Sequence, residues 1–172
     1  FFLLIRENKK IKKLIPNLLK NKIKLLDVGA AGGIQNRWNI IIDNTEIFCV
    51  EPHNDSASFL KKNSKNTNII EKVFSNEENA NLNFFYTKKS ECSSVLKPNF
   101  DHLDKYPDKS RFEIVSEKIS PSTTIDEEFN NTSAPDFVKI DVEGYALEIL
   151  KGANKSLANI LGLEVECEFF EL

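Results

Sequence analysis

Methionine is absent from this 172-residue chain, tryptophan occurs once, histidine twice and cysteine three times. Each scarcity removes a class of function. Two histidines, with Cys49, Cys92 and Cys167 at unpaired spacings, do not supply the clustered ligands of a zinc site, so no metal centre is expected. The same odd, scattered set makes no disulfide framework. Cys49 and Cys167 stand in apolar runs and read as small core residues of a protein in a reducing, cytoplasmic setting. No apolar run approaches the roughly 18 residues of a membrane span, and "FFLLI" at the start is too short for that or for a signal-peptide core. The start at Phe1 and the missing methionine read as a chain cut from a longer product.

Positive charge is also scarce outside one end. Residues 1–24 hold eight basic side chains against Glu7, whereas the rest carries 15 basic against 25 acidic. An acidic body excludes nucleic acid as the main partner, because phosphate contacts need Lys and Arg. It suits a small cationic ligand. The basic segment places Ile11, Leu14, Ile15, Leu18 and Leu19 at helical spacing broken by Pro16. A basic helical segment is therefore expected over 1–23, either packed on the domain with its charges in water or in weak contact with a membrane surface. Residues 24–172 are long enough for one domain with a substantial core.

Within that body, apolar runs alternate with helix-like stretches. Strands are expected near 24–28, 46–50, 69–74, 137–141 and 161–167, with helices over "IQNRWNIII", "NDSASFLKKN" (capped by Asn54 or Asp55) and "YALEILKGANKSLA". "LNFFYTK" reads as an extra extended segment. From Glu91 to about Ser120 the pattern weakens into a long irregular loop, with "FEIVSEKI" as a short strand inside it. Strands separated by helices predict an α/β fold with a doubly wound, mainly parallel sheet, and a cleft at the carboxyl ends of its strands.

The unusual residues fall at those ends. "KLLDVGAAGG" stops a buried strand at Asp27 and follows it with Gly29, Gly32 and Gly33. This is either a tight strand-to-helix corner or a place where a ligand approaches the backbone. The nicotinamide fingerprint G-x-G-x-x-G is broken by Ala31 and Ile34, which argues against a nucleotide-dependent oxidoreductase. Glu51 closes the second strand about 20 residues past the glycines, positioned to take two ribose hydroxyls; otherwise it is a surface Glu before the turn at Pro52. In "KIDVEG", Asp141 and Glu143 are two apart as a strand ends, and in extended geometry they point to one side. Such a pair can take a proton or bind a cation, though Glu143 can equally serve the helix start.

The segments "LLDVGAAGG", "VEP", "SSV" (93–95), "DFVKIDVEGYALEILKGA" and "LEVE" occur in the order found in the FkbM family of S-adenosylmethionine-dependent methyltransferases. From about Lys24 to its end the chain resembles that family. The resemblance implies a Rossmann-like class I methyltransferase fold, S-adenosylmethionine as cofactor, and O-methylation of a hydroxyl on a sugar, glycan, lipid-linked or natural-product acceptor. It also implies roles. Asp27 matches the acid that orients the methionine amino group, often through water. Gly29, Ala30 and Gly33 match the loop under methionine and ribose, and Glu51 the ribose ligand. Asp141 and Glu143 match the acids of the methyl-transfer site, with Asp141 the first choice of base. Glu164 matches a recurrent acid at the end of the last strand. His53, after "EP", is read as a contact for the adenosine; both His53 and His102 are also candidate bases. Three departures stand out: Ala31 replaces a common Asn, Asn76 replaces a common Asp, and the sequence stops before the two-strand hairpin that completes the family's sheet. A non-catalytic cofactor-binding or scaffold module derived from such an enzyme is the alternative reading.

Overall fold

Every residue from Leu25 to Val28 is at most 2% exposed, so this strand is covered on both faces, as strands of a parallel sheet are. The computed structural model describes residues 21–64, 67–130 and 133–168. The basic helical segment expected over 1–23 lies outside the described residues except for 21–23, where Ile23 already begins β1. In chain order the strands are β1 (Ile23–Val28), β2 (Thr45–Val50), β3 (Thr67–Ile70), β4 (Val73–Phe74), β5 (Asn81–Thr87), β6 (Ile114–Thr123), β7 (Phe137–Ile140) and β8 (Gly162–Val165). The α-helical segments are α1 (Asn54–Asn63), α2 (Phe100–Leu103), α3 (Ile125–Glu128) and α4 (Ala146–Lys151).

Five strands form one sheet in the order β3-β2-β1-β7-β8, and every neighbouring pair is parallel. This is the expected α/β, Rossmann-like architecture. The period of two sorts the side chains into two layers. Leu25, Ile47 and Cys49 pack with Trp38 and with Leu60 of α1 on one face. Leu26, Val28, Val50, Val138 and Ile140 pack with Ile125, Phe129 and Ile149 on the other. The chain runs outward from β1 to β3 and then returns to the opposite side of β1 as β7. That reversal puts the switch point, where α/β sheets bind ligands, between the ends of β1 and β7.

Several expectations are corrected. "IQNRWNIII" forms two 3-10 turns, Asn36–Ile40 and Ile42–Asn44, instead of an α-helix. Its β-branched run and its asparagines have low helix propensity, and Gln35 makes no side-chain cap. α1 is capped by His53, whose Nδ1 accepts from the backbone N–H of Asp55 and Ser56, rather than by Asn54 or Asp55. The expected third strand is two: after β3 the chain leaves the main sheet at Glu71 and Lys72, which are exposed and ion-paired to Lys61 and Glu128. β4 then joins a second sheet, β4-β6-β5. The short strand expected at "FEIVSEKI" is present and runs on to Thr123 as β6, pairing antiparallel with β5 from Ile114 to Pro121. Its Pro121 masks the strand in the sequence, but β4 meets β6 only at Ser122 and Thr123, so the missing N–H breaks no ladder on that side.

α4 ends at Gly152, as the sequence predicts, for a reason of packing. A Cβ there would lie 2.1 Å from the carbonyl oxygen of Ser75. The Gly152 carbonyl accepts from Asp126 N, and the Asp126 carboxylate accepts from Lys155 N and Ser156 N, clamping the end of α4 to the start of α3. Gly152→Ala is expected to lower stability by about 2 kcal/mol or more, because overpacking against backbone cannot relax through a side chain. Urea denaturation checks this, and an unchanged midpoint would refute the packing argument.

Candidate functional site

The turn after β1 is held tightly against β7. Gly29 has φ of 81°, and a Cβ on it would lie 1.8 Å from the carbonyl oxygen of Asp141. The glycine is thus required both by its left-handed backbone and by the closeness of two strand ends. Asp141 N continues the ladder by donating to Val28 O, 3.0 Å away. Between these ends opens a cleft lined by Val28, Gly29, Ala31, Glu51, Pro52, Ser93, Ser94, Asp141, Val142 and Tyr145.

Asp27 lies beneath it, 1% exposed. Its Oδ1 is 3.0 Å from Nζ of Lys139, while its Oδ2 is buried with no hydrogen-bond partner among the described residues. Lys139 projects from the middle of β7 and is 4% exposed. Its ammonium also reaches Asp141 Oδ2 at 3.2 Å and the Gly29 carbonyl at 3.5 Å. Burial pushes the Asp27 carboxyl above its usual range, and the Lys139 ammonium opposes it. Burial alone would pull Lys139 down, but Asp27 and Asp141 outweigh it and hold the ammonium above the ordinary lysine range. Against the penalty of burial, a hydrogen bond from Glu166 and the Lys139 ammonium hold Asp141 below the ordinary range. The shared Asp141 hydrogen bond, with burial, pushes Glu166 up to about 8.

Glu51 closes β2 inside the cleft. It is 4% exposed and its Oε1 accepts from His53 N at 2.8 Å. Burial raises its carboxyl to about 7, against that hydrogen bond, with the nearby charge of Glu91 adding to the rise. His53 turns its Nδ1 to the cap of α1 and its ring edge-on to Tyr86, 4.9 Å between centroids. The Ala30 side chain is buried beside Trp38 and Ile47 in the layer below the cleft. Gly33 has φ of 86° and open space where a Cβ would be.

Asp141 and Glu143 do not share a side by strand geometry. β7 stops at Ile140, and Glu143 has φ of 51°. Its carboxylate instead gathers with those of Glu166 and Glu168, all within 4.8 Å of one another. Burial raises the Glu143 carboxyl, with Arg111 opposing. Ser94 secures this turn: its hydroxyl donates to Val142 O at 2.9 Å or Glu143 O at 3.2 Å. Glu164 ion-pairs with Arg37 at the sheet edge. His102 sits in α2 with its ring against Tyr106.

Sequence reasoning missed Lys139, Glu166 and Tyr145, whose hydroxyl lies 3.2 Å from Ser75 Oγ. For Lys139 a signal existed, since a lysine inside the apolar strand "FVKI" needs a buried acid to face.

The methyltransferase FkbM domain matches residues 27–171. The chain belongs to the FkbM methyltransferase family. Neither the curated proteins nor the solved structures compared with it give a match. In this FkbM domain the most specific sequence block, "KIDVEG", is thereby located at the switch point between β1 and β7. Among the described residues no helix is long and apolar enough to cross a membrane.

Because the Glu51 carboxyl is raised to about 7 from its ordinary 4.5, the fold disfavours its ionised form. The associated stability is present below the unfolded value and is lost as pH rises through the folded one. Glu51→Gln keeps an oxygen to accept from His53 N and removes the charge. It is expected to raise stability by about 2–3 kcal/mol at pH 8, a gain that shrinks toward zero near pH 4.5. Denaturant titrations across this range check it; a pH-independent difference would contradict the burial argument.

Proposed function

We propose that this domain is an S-adenosylmethionine-dependent O-methyltransferase acting on a hydroxyl of a sugar, glycan, lipid-linked or natural-product acceptor. The observation that carries the cofactor reading is the buried Oδ2 of Asp27. It lacks a protein partner, and a buried, unpaired carboxylate oxygen costs stability unless something donates to it. The residues fit the group. Asp27 Oδ2 would accept from the methionine ammonium, directly or through water. Glu51 would take ribose hydroxyls, and the turn from Gly29 to Gly33 leaves backbone accessible beneath them. When bound, the cofactor supplies an electrophilic methyl on a sulfonium cation.

The chain's own acids then have distinct tasks. Lys139 leaves the group Asp27–Lys139–Asp141 with one net negative charge, matched to a cation carrying one positive charge. Asp141 is held ionised at the cleft and is in the correct state to accept the proton of an acceptor hydroxyl. Glu143 is the second candidate for that role. The domain's main contribution is to hold the acceptor oxygen in line for attack, excluding misaligned encounters.

Glu51→Ala is expected to weaken binding of S-adenosylhomocysteine by about 1–3 kcal/mol, as read by calorimetry. Asp141→Asn keeps the shape of the strand end. With labelled donor and a panel of glycan and lipid-linked hydroxyl acceptors, it is expected to reduce turnover by roughly 10²–10⁴-fold while binding of S-adenosylhomocysteine, which lacks the sulfonium charge, stays intact. Near-normal turnover would move the base to Glu143. A parent chain that binds the cofactor but transfers no methyl to any acceptor would favour the binding-module reading.

A further inference from the structure

Lys139 has three N–H donors, and three oxygens surround it: Asp27 Oδ1 at 3.0 Å, Asp141 Oδ2 at 3.2 Å and the Gly29 carbonyl at 3.5 Å. Its donors are thus matched one to one by protein oxygens, and none is left for a ligand. The asymmetry lies on Asp27, which has one oxygen fixed by the ammonium and the other buried without a partner.

We infer that Lys139 is a positioning residue for cofactor binding: it keeps the buried Asp27 ionised and oriented so that only Oδ2 remains for the ammonium of the incoming ligand. This rests on the cofactor reading above and goes beyond it, since it assigns the affinity to a residue that never meets the ligand. An isolated carboxylate at 1% exposure would otherwise take up a proton, and a protonated Asp27 would give up its charge attraction for a cation. The other groups around Asp27 do not replace the lysine. Arg37 also lowers the Asp27 carboxyl, but less than Lys139 does and while ion-paired with Glu164, and Cys49 on β2 and Glu51 after it contribute no positive charge. Asp141 is itself negative and raises the Asp27 carboxyl, while Glu166 engages Asp141 rather than Asp27.

Lys139→Met replaces the ammonium by an apolar group of similar length. The test is calorimetric binding of S-adenosylhomocysteine, which is not consumed, from pH 6 to 8.5. The parent chain sets the reference profile, in which the Glu51 carboxyl titrates near 7, and each variant's affinity is read as a ratio to it at the same pH. The variant is expected to bind about tenfold or more weakly at pH 7, the effect of losing a hydrogen bond to a charged group, and to regain affinity as pH rises. Loss of packing alone would not produce that recovery. Lys139→Arg, which restores the charge, is expected to return that ratio toward one at every pH. If Lys139→Met does not fold, Asp27→Asn with Lys139→Met removes both buried charges, a change folds tolerate better than removing one partner. The double variant is expected to bind weakly at every pH with no recovery. Parent-like affinity in either variant, weakened binding of Lys139→Met without pH recovery, or a recovery that persists in the double variant would overturn the inference while leaving the cofactor reading intact. Absence of binding by the parent chain would overturn both.

Discussion

An ammonium buried in the centre of a parallel sheet is costly to desolvate, and here it lies where two strands that are distant in sequence come together. Lys139 on β7 meets Asp27 on β1, 112 residues away, and extends to Asp141 one turn of chain further. Removing the lysine would leave Asp27 as an uncompensated charge under the cleft floor, a penalty larger than the net worth of the pair. The approach of Asp141's carbonyl to Gly29 depends on this junction, as does the placement of both acids relative to Glu51 at the end of β2. The charged group therefore fixes which strands are neighbours as well as what the cleft attracts.

The main sheet was legible because its strands are buried on both faces and read as continuous apolar runs. "KLLDV", "EIFCV" and "DFVKI" carry that signature within a residue of their observed limits. The second sheet was legible only as separate extended segments, not as a sheet. β6 is exposed along most of its length, so "IVSEKISPST" shows neither a clean alternation nor an apolar run. Its partner β5 could be read only as extended, because what it pairs with lies beyond a long connection. The 3-10 turns after β1 failed for a related reason. Trp38 and its isoleucines are apolar enough to suggest a helix face, while their propensities oppose a regular one.

At the site, the acids were legible by type and by position at strand ends, but their partnerships were not. Reading Asp141 and Glu143 as a pair assumed that the strand continued. The left-handed backbone at Glu143 and Gly144 turns the chain instead, and Asp141 is coupled to Glu166 from β8's end. Nothing in "LEVECE" marks which of its acids faces a neighbouring strand. Period and spacing describe one element at a time, whereas carboxyl groups are tuned by the element beside them.

The cleft is bounded by two walls of different mechanical character. One is the end of the five-stranded sheet, with Gly29 wedged against Asp141. The other belongs to the smaller sheet and the segment after β5, joined to the first through discrete hydrogen bonds: Ser94 to the carbonyls of Val142 and Glu143, and Tyr145 with Ser75. A serine hydroxyl holding two carbonyls is a hinge pin rather than a weld. Substitutions at Ser90 and Glu91, which line that outer wall, can therefore reshape it without disturbing the acids beneath, so the fold can change what it accepts while keeping the floor on which its charges rest.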